Sequence, residues 1–360
     1  MKKVLFIVNS LSGGGAERVV TLLANYMAET NNKVYIICFD TASTFILHPK
    51  VKVIFLGRNT KGFWNIMRNK SKLERTIRIL EREESFDLIT VHLLYSHLIT
   101  RLGRCRNRAV YVMHSIYSRK FKRNIIFRLL IKFIYKNRSL ISVSEGLKQE
   151  LINYWNLKDN TRIAVINNPL DIEYIREKAS EKLLVNEKYI ISVGRLTAVK
   201  RFDYLIKAFM KTKLKEDYKL IILGEGEEKQ KLTQLVSQLK AESCIMLKGW
   251  EENPIKWIEN ASLYVCTSKY ECFPMTLLEC LCCGTPIVSI DCDYGPREIL
   301  KGQLKKFLVQ DNCMDKLTIA MEEAVKNYPT ISEEYYSFYD IKNISEQYLN
   351  SLKGDIWYPY

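Results

Sequence analysis

The amino-acid sequence predicts an α/β protein with two doubly wound domains, each built on a parallel sheet. A length of 360 residues fits two domains of roughly 150 residues, and each is large enough to bury its own core. Apolar strand-like runs alternate with segments of helical periodicity, as in consecutive βαβ units. This alternation restarts after a polar, charged stretch at about 171–187. We therefore predict an N-terminal domain over 1–169 and a C-terminal domain over 170–340, joined near Pro169.

The N-terminal half opens on an apolar run at 4–8 that fits a first strand. Lysines precede this run as in a signal peptide, but it stops at Asn9, too short for the apolar core of such a peptide. A helix is expected from about 16 to 29. Further buried strands are expected at 33–39, 88–91, 109–113 and 139–143.

The C-terminal half repeats the pattern and then ends in a helix. Its apolar runs predict strands at 189–193, 219–223, 245–247, 263–266 and 286–290. Helical periodicity returns at about 332–352, in a segment rich in tyrosine.

The composition is that of a folded globular protein, with 47% hydrophobic and 26% charged residues. The longest uncharged runs, 4–16 and 88–100, hold thirteen residues each, whereas a membrane-spanning helix needs about twenty. The ten cysteines lack the regular spacing of a secreted disulfide scaffold, so a reducing compartment is expected. The four histidines lie far upstream of the cysteine group at 280–283, so we predict no metal site.

The net charge of +15 indicates an anionic partner: nucleic acid, a phosphorylated ligand or an acidic membrane surface. Between Arg101 and Arg138 there are twelve Lys or Arg residues and no Asp or Glu. Within that segment, 118–135 interleaves the charges with large apolar residues, which predicts a basic amphipathic helix able to lie on an anionic bilayer. An ordinary domain helix with one buried stripe fits the same pattern.

Glycines follow the first strand, where a doubly wound sheet brings backbone close to a ligand. The run Gly13–Gly15 opens the first helix. A dinucleotide fingerprint would need a third, spaced glycine, and Arg18 stands in its place, although Asp40 ends the second strand suitably. A tight turn without a ligand also fits these glycines.

Two cations lie in one strand-to-helix loop of the second half. Arg195 follows the strand at 189–193, and Lys200 precedes an amphipathic helix. A guanidinium and an ammonium in one loop can neutralise two adjacent phosphoryl groups as charge develops on a leaving group. Arg195 and Lys200 would also fit this sequence as solvated surface charges that bind no ligand.

A third candidate binding site is the start of a helix near which two glutamates lie eight residues apart. We expect Pro274 at its first position, with Glu271 in the preceding loop and Glu279 in the second turn. Amides at the helix start would then be free to bind a phosphate, with one carboxylate near a sugar and the other near a ribose. A capped helix with a buried leucine stripe fits the segment equally well. The amides are those of Met275, Thr276 and Leu277.

The order of these motifs along nearly the whole chain resembles the retaining glycosyltransferases of family four, which include many bacterial polysaccharide enzymes. The combination also includes His114, the turn at 144–146, Asn168-Pro169, the run 223–226 and Lys248-Gly249-Trp250. The resemblance implies a GT-B fold: two Rossmann-like domains facing across a cleft, with the last helix, about 340–360, returning to the N-terminal domain. It also implies a nucleotide-sugar donor held mainly by the C-terminal domain.

The resemblance assigns roles residue by residue. Arg195 and Lys200 match the pair that holds the donor diphosphate, Glu271 matches the glutamate near the donor sugar, and Glu279 matches the ribose-binding glutamate. His114 matches the histidine beside the transferred sugar. The remaining donor contacts that it implies are the N-domain loop residues Gly14 and Gly15, the residues near the nucleobase, Gly224, Gly226 and Trp250, and Phe273 of the Glu-Cys-Phe segment, where Cys272 replaces the usual glycine.

Asp291 and Asp293 formally make the Asp-x-Asp of metal-dependent glycosyltransferases. They lie in a loop that the family places beside the donor, and enzymes that resemble this chain need no metal. We therefore expect neither a metal nor another cofactor.

These observations favour a glycosyltransferase that moves a hexose or N-acetylhexosamine from a nucleotide-diphosphate donor, expected to be UDP-linked. The expected acceptor is a saccharide or lipid-linked saccharide at the inner face of a bacterial cytoplasmic membrane, and nucleic acid is not an expected partner. A GT-B nucleotide-sugar epimerase or hydrolase remains an alternative, as does a non-catalytic nucleotide-sugar-binding protein at the membrane surface. The interrupted glycine pattern disfavours a dehydrogenase.

Overall fold

The computed structural model describes residues 1–41, 44–57, 62–121, 124–157 and 161–351. The chain divides into two compact units, Met1–Pro169 with Tyr339–Tyr360, and Leu170–Phe338. Each unit is built on a parallel sheet with helices, as the alternating pattern predicts. Among the described residues, no helix is both long and apolar enough to cross a bilayer.

The first unit contains a seven-stranded sheet in the order β3-β2-β1-β4-β5-β6-β7. All residues of β1 and β4 are buried, because both faces of a parallel sheet are covered by helices. The strands are β1 (Lys3–Val8), β2 (Lys33–Cys38), β3 (Lys52–Phe55), β4 (Leu88–His92), β5 (Ala109–Met113), β6 (Ser139–Ser142) and β7 (Arg162–Val165).

Seven α-helices belong to this unit within the described ranges, and the last comes from the end of the chain and packs against the first. One turn of π-helix, Glu150–Tyr154, follows the sixth. The helices are α1 (Gly15–Glu29), α2 (Phe63–Leu80), α3 (Leu94–Leu102), α4 (Tyr117–Phe121), α5 (Ile125–Tyr135), α6 (Glu145–Gln149) and, from the chain end, α14 (Ile341–Asn350).

The second unit contains a six-stranded sheet in the order β10-β9-β8-β11-β13-β15 and a separate pair, β12 with β14. The strands are β8 (Tyr189–Val193), β9 (Lys219–Leu223), β10 (Ile245–Gly249), β11 (Leu263–Cys266), β12 (Tyr270–Glu271), β13 (Ile287–Ile290), β14 (Asp293–Tyr294) and β15 (Leu308–Val309). The helices are α7 (Ile172–Ala179), α8 (Phe202–Lys211), α9 (Lys229–Gln238), α10 (Ile255–Glu259), α11 (Met275–Cys283), α12 (Gly295–Ile299) and α13 (Met314–Lys326).

Each sheet has a point where the strand order reverses, between β1 and β4 in the first unit and between β8 and β11 in the second. In doubly wound sheets, ligands bind at the carboxyl ends of the strands beside such a reversal. The glycine loop follows β1, and the loop with Arg195 and Lys200 follows β8. The sheet topology therefore puts these two sequence candidates at ligand-binding edges.

Two predicted helices are wrong in extent. The segment 118–135 forms two helices, because the side chain of Asn124 accepts a hydrogen bond from the Phe127 amide and starts α5 anew. The segment 332–352 begins with short 3₁₀ turns, and Asp340 caps the helix α14 that follows. Lys122, Arg123 and Leu352 lie outside the described residues.

Candidate active site

The loop between β8 and α8 is fixed by backbone bonds and by Arg201. The amide of Lys200 donates to the Thr197 carbonyl at 3.0 Å. Arg201 adopts a left-handed conformation with φ of 51°, donates from Nε to the Thr267 carbonyl at 2.9 Å and pairs with Asp311 at 2.7 Å. The Thr267 hydroxyl in turn donates to the Lys200 carbonyl at 2.9 Å. Arg201, which sequence reasoning did not select, thus ties this loop to the end of β11.

The structure brings Lys200 and Glu271 together as an ion pair. The ammonium nitrogen of Lys200 lies 2.5 Å from Oε1 of Glu271, and the Ser268 hydroxyl donates to the same oxygen at 2.7 Å. Burial lowers the pKa of Lys200, but the Glu271 carboxylate outweighs burial and raises the pKa overall. Lys200 is therefore a fixed cation at the carboxyl edge of the sheet.

Arg195 lies in the same loop, and its residue is exposed. The backbone around it is held by the Leu196 amide, which donates to the Glu225 carbonyl at 2.8 Å. The loop therefore combines a lysine that is anchored to a carboxylate with an exposed arginine.

The helix that carries Glu279 begins one residue later than expected. Pro274 is the N-cap of α11, with ψ of 115°, and is not its first helical residue. The Leu277 amide donates to the Pro274 carbonyl at 3.2 Å, so the prediction that this amide is free is wrong. The Thr276 hydroxyl accepts a hydrogen bond from the Tyr264 hydroxyl at 3.0 Å. Side chains of this segment are buried, namely Phe273, Met275, Leu277 and Glu279.

Gly224 and Gly226 have a steric role in the loop after β9. A Cβ on Gly224 would lie 2.0 Å from the Gly194 carbonyl oxygen, and one on Gly226 would lie 2.3 Å from the Leu196 carbonyl oxygen. The φ of Gly224 is also 137°, a conformation that suits glycine. These glycines let the β9 loop pack directly on the loop that holds Arg195.

Trp250 follows β10 at the same edge and is 70% exposed, which rules out a core position. The carbonyl of Gly249, the residue before Trp250, accepts a hydrogen bond from the Gly224 amide at 2.7 Å. A large aromatic side chain exposed beside a glycine-rich loop is available for stacking on a ligand ring.

The two aspartates of the Asp-x-Asp sequence have separate environments. Asp291 accepts a hydrogen bond from Nε of Arg297 at 3.0 Å. Asp293 pairs with Tyr270 in the β12–β14 ladder, which also joins Glu271 to Tyr294. In the described part of the chain, no three His, Cys, Asp or Glu residues are grouped to hold a metal ion.

In the first unit, Gly14 is the N-cap of α1 and Gly15 is its first residue. The Glu17 carboxylate folds over Gly14, where a Cβ would lie 2.1 Å from Oε2. A side chain at position 14 would therefore displace this carboxylate, which lies in the first turn of the helix, where the macrodipole favours negative charge.

His114 follows β5 and contacts a second histidine at the end of the neighbouring strand β4. Nε2 of His114 lies 3.0 Å from Nδ1 of His92, whose own Nε2 lies 3.1 Å from the Thr90 hydroxyl. Burial lowers the pKa of His114 to about 3 and that of His92 well below its usual value, so both rings are neutral at pH 7. Sequence reasoning missed His92, although a histidine that ends a buried strand was a usable signal.

Two family models together match residues 13–338. Residues 13–174 match the model described as glycosyltransferase family 4, and residues 174–338 match the model described as glycosyl transferases group 1. The sequence motifs on which the family resemblance was based lie in both matched ranges, 13–174 and 174–338.

Relatives and solved structures agree with these matches. The chain is 28% identical over 310 residues, 83% of each chain, to N-acetylgalactosamine-N,N'-diacetylbacillosaminyl-diphospho-undecaprenol 4-alpha-N-acetylgalactosaminyltransferase of Campylobacter jejuni. It is 24% identical, over 84% of each chain, to the amylovoran biosynthesis glycosyltransferase AmsD of Erwinia amylovora. The crystal structure of HepE of Anabaena in complex with UDP and glucose superposes with a TM-score of 0.79 at 18% identity, covering 98% of this chain and 100% of HepE. The predicted GT-B fold class is thereby confirmed.

Proposed function

This chain belongs to the group 1 glycosyltransferases, and from that premise we propose that it is a retaining enzyme with a UDP-sugar donor. The transferred sugar is a hexose or an N-acetylhexosamine. Its acceptor is a saccharide or lipid-linked saccharide of a bacterial surface polysaccharide. In the reaction, the bond from the anomeric carbon to the diphosphate breaks, a bond to an acceptor hydroxyl oxygen forms, and the hydroxyl proton leaves with the diphosphate.

The observation that carries this proposal is the Lys200–Glu271 pair in the loop beside Arg195. An ammonium group has three N–H donors, so Lys200 can keep its bond to Glu271 and still donate to a phosphate oxygen. With Arg195 it would neutralise charge that develops on the leaving diphosphate. Glu271, held by Lys200 and Ser268, would then lie next to the sugar that is transferred.

The other donor contacts follow from the strand ends. The exposed indole of Trp250 would stack on the nucleobase beside the loop of Gly224 and Gly226. Glu279 would accept hydrogen bonds from the ribose hydroxyls. The complex of HepE with UDP and glucose supports a UDP-linked donor.

A lipid-linked acceptor has separate support in the first unit. The face of α5 that is not packed exposes Ile125, Ile126, Leu129 and Phe133, whose exposed fractions are 73, 77, 64 and 46%. Arg101 donates from Nε to the Phe133 carbonyl at 2.6 Å and places its guanidinium 5.2 Å from the Phe133 ring, so a cation borders the apolar face. We propose that this face lies on the anionic inner surface of the cytoplasmic membrane. The Campylobacter relative, whose name includes diphospho-undecaprenol, fits such a location.

Product analysis tests the function. The pure protein is incubated with a panel of UDP-, GDP- and ADP-sugars, with and without bacterial membrane lipid extract, and the products are identified by mass spectrometry. A lipid or saccharide that gains one sugar only when extract is present supports the transferase. Sugar that is released or converted to its epimer without extract supports the hydrolase or epimerase, and binding without turnover supports the non-catalytic alternative.

A further inference from the structure

The hydrogen-bonded side chains of Thr90, His92 and His114 form a relay at the carboxyl ends of β4 and β5, beside the reversal of strand order in the first unit. Thr90 and His92 lie on one face of β4, and His92 is opposite Val112, two residues before His114. Thr90 and His92 are completely buried, whereas His114 is partly exposed. The relay thus leads from the protein interior to a partly exposed imidazole.

The Thr90 hydroxyl sets the direction of the hydrogen bonds. Among the described residues, its only hydrogen-bond partner is Nε2 of His92, at 3.1 Å. A hydroxyl that only accepted from His92 would leave its own hydrogen buried without an acceptor, which is unfavourable. The hydroxyl therefore donates, and Nε2 of His92 accepts.

The direction of the hydrogen bond at Thr90 fixes the tautomers of His92 and His114. A neutral imidazole whose Nε2 accepts must have its hydrogen on Nδ1. Nδ1–H of His92 consequently donates to Nε2 of His114 at 3.0 Å. His114 in turn has its hydrogen on Nδ1, an atom with no partner among the described residues.

The surrounding structure is consistent with a site rather than a plain core. Leu93, directly after His92, has φ of 70° and ψ of 147°, a strained conformation for a residue with a side chain. A third histidine shows the opposite arrangement: Nε2 of His97 lies 2.8 Å from the Val91 carbonyl, which can only accept, and its Nδ1 lies 2.8 Å from the Tyr135 hydroxyl. His97 therefore has its hydrogen on Nε2 and serves as an internal reference.

We propose that Thr90 and His92 are positioning residues that hold His114 neutral with its hydrogen on Nδ1, so that His114 acts on the substrate as a hydrogen-bond donor. This inference rests on the proposed function, because the family resemblance implies that His114 lies beside the transferred sugar. It assigns roles to two residues that do not touch substrate themselves. It also distinguishes His114 from a general base, which would need an unprotonated nitrogen facing the substrate.

The tautomers can be measured without any substrate. The chain has four histidines, His48, His92, His97 and His114, and two-bond ¹⁵N–¹H correlation spectra of histidine-labelled protein distinguish the two tautomers of each. We expect the hydrogen on Nδ1 for His92 and His114 and on Nε2 for His97. A His114 with its hydrogen on Nε2 would overturn the proposal. His48→Gln, at a residue outside the relay, assigns one signal and serves as the control.

Matched variants separate orientation from packing. Thr90→Ser keeps the hydroxyl and should keep the tautomer of His114, whereas Thr90→Val, of the same size, should lose that preference. His92→Asn retains an N–H at the position of Nδ1, and His92→Leu does not. We expect kcat to fall about tenfold in His92→Leu and Thr90→Val with the donor KM within about twofold, because the lost bond acts on the reacting sugar, and we expect His92→Asn to recover most of the rate.

Equal losses in His92→Asn and His92→Leu would reduce the effect to packing and contradict the proposal. Melting temperatures identify any variant that fails to fold, and the spectrum of the unmodified protein then still decides the tautomer. The two failures can be told apart. A protein that transfers sugar but has His114 protonated on Nε2 refutes this inference and leaves the proposed function intact. The expected tautomer in a protein without transferase activity refutes the proposed function and, with it, the role of His114 toward the sugar.

Discussion

Lys200 and Glu271 are 71 residues apart in the sequence, and their charged atoms lie 2.5 Å apart at the carboxyl edge of the second sheet. The Ser268 hydroxyl holds the same carboxylate oxygen at 2.7 Å. Because the two charges are in direct contact, neither residue acts independently of the other. A substitution at one changes the charge environment of both.

Replacing Lys200 with Met, or Arg195 with Ala, should lower kcat more than donor affinity. The expected loss of transition-state stabilisation is about 3 kcal/mol per group, or roughly 100-fold in kcat, because each cation acts on the charge of the leaving group. Steady-state kinetics with the donor that the panel identifies provide the measurement. Lys207→Met, on the exposed face of α8, is the control and should leave kcat unchanged.

A double-mutant cycle tests the coupling within the same pair. Lys200→Met, Glu271→Gln and the double variant should show non-additive effects, with a coupling of about 1–3 kcal/mol, as expected for residues in contact. Additive losses would mean that the pair separates when the donor binds.

Glu271→Gln and Glu279→Gln should differ in which kinetic constant changes. The proposed position of Glu271 next to the transferred sugar predicts a fall in kcat, and ribose binding by Glu279 predicts a rise in the donor KM. Both constants are measured under the same donor and acceptor conditions. The reverse pattern would show that the roles of the two carboxylates are exchanged.

Transfer should survive a chelator, because the proposed diphosphate clamp consists of Arg195 and Lys200. Asp291→Asn should also keep activity, since the structure pairs Asp291 with Arg297. The assay compares rates in EDTA with rates after manganese is added back. Complete loss in EDTA that manganese restores would contradict the clamp and support metal binding by Asp291 and Asp293.

The exposed face of α5 should bind vesicles that contain anionic lipid, and salt should weaken this binding, because attraction between surface charges is screened beyond about 10 Å at 0.1 M. Changing Arg128, Lys132 and Lys136 together to Gln should reduce co-sedimentation, since each basic residue near an anionic surface contributes about 1 kcal/mol. Thermal stability should change little, as exposed charges contribute little to folding.

The apolar part of the same face has its own matched control. Leu129→Ser should reduce vesicle binding, whereas Ile319→Ser, on α13, should not, although both side chains are 64% exposed. Equal binding to neutral and anionic vesicles, or unfolding of the charge variant, would contradict membrane docking through α5.

The sequence predicted the central strands because they are continuous apolar runs, as expected for strands of a sheet that is covered on both faces. The strands β5, β8, β9 and β11 fall at their predicted limits. The two edge strands of the first sheet, β3 and β7, carry no such signal. β3 has exposed residues at both ends and was missed, and β7 begins on the exposed Arg162. Helix limits were lost where a side-chain cap restarts the helix, as at Asn124 and Asp340.

Within the candidate site, the motifs were visible in the sequence but their contacts were not. A loop position such as Lys200 can point to solvent or to Glu271, and only the fold, which brings the end of β8 beside the end of β11, decides between them. Gly224 and Gly226 were expected near a nucleobase, and the structure adds the close backbone contacts with Gly194 and Leu196. Such tertiary contacts leave no periodic pattern in the chain.

The configuration of the transferred sugar tests the central claim most directly. The product formed from an α-linked UDP-sugar and lipid extract is purified, and its anomeric proton coupling is measured by ¹H NMR. A retaining transferase gives a sugar that is α-linked to the acceptor, and Lys200→Met should form that same product at roughly one hundredth of the rate. A β-linked product, or free sugar with no glycosylated acceptor, would contradict the proposed reaction.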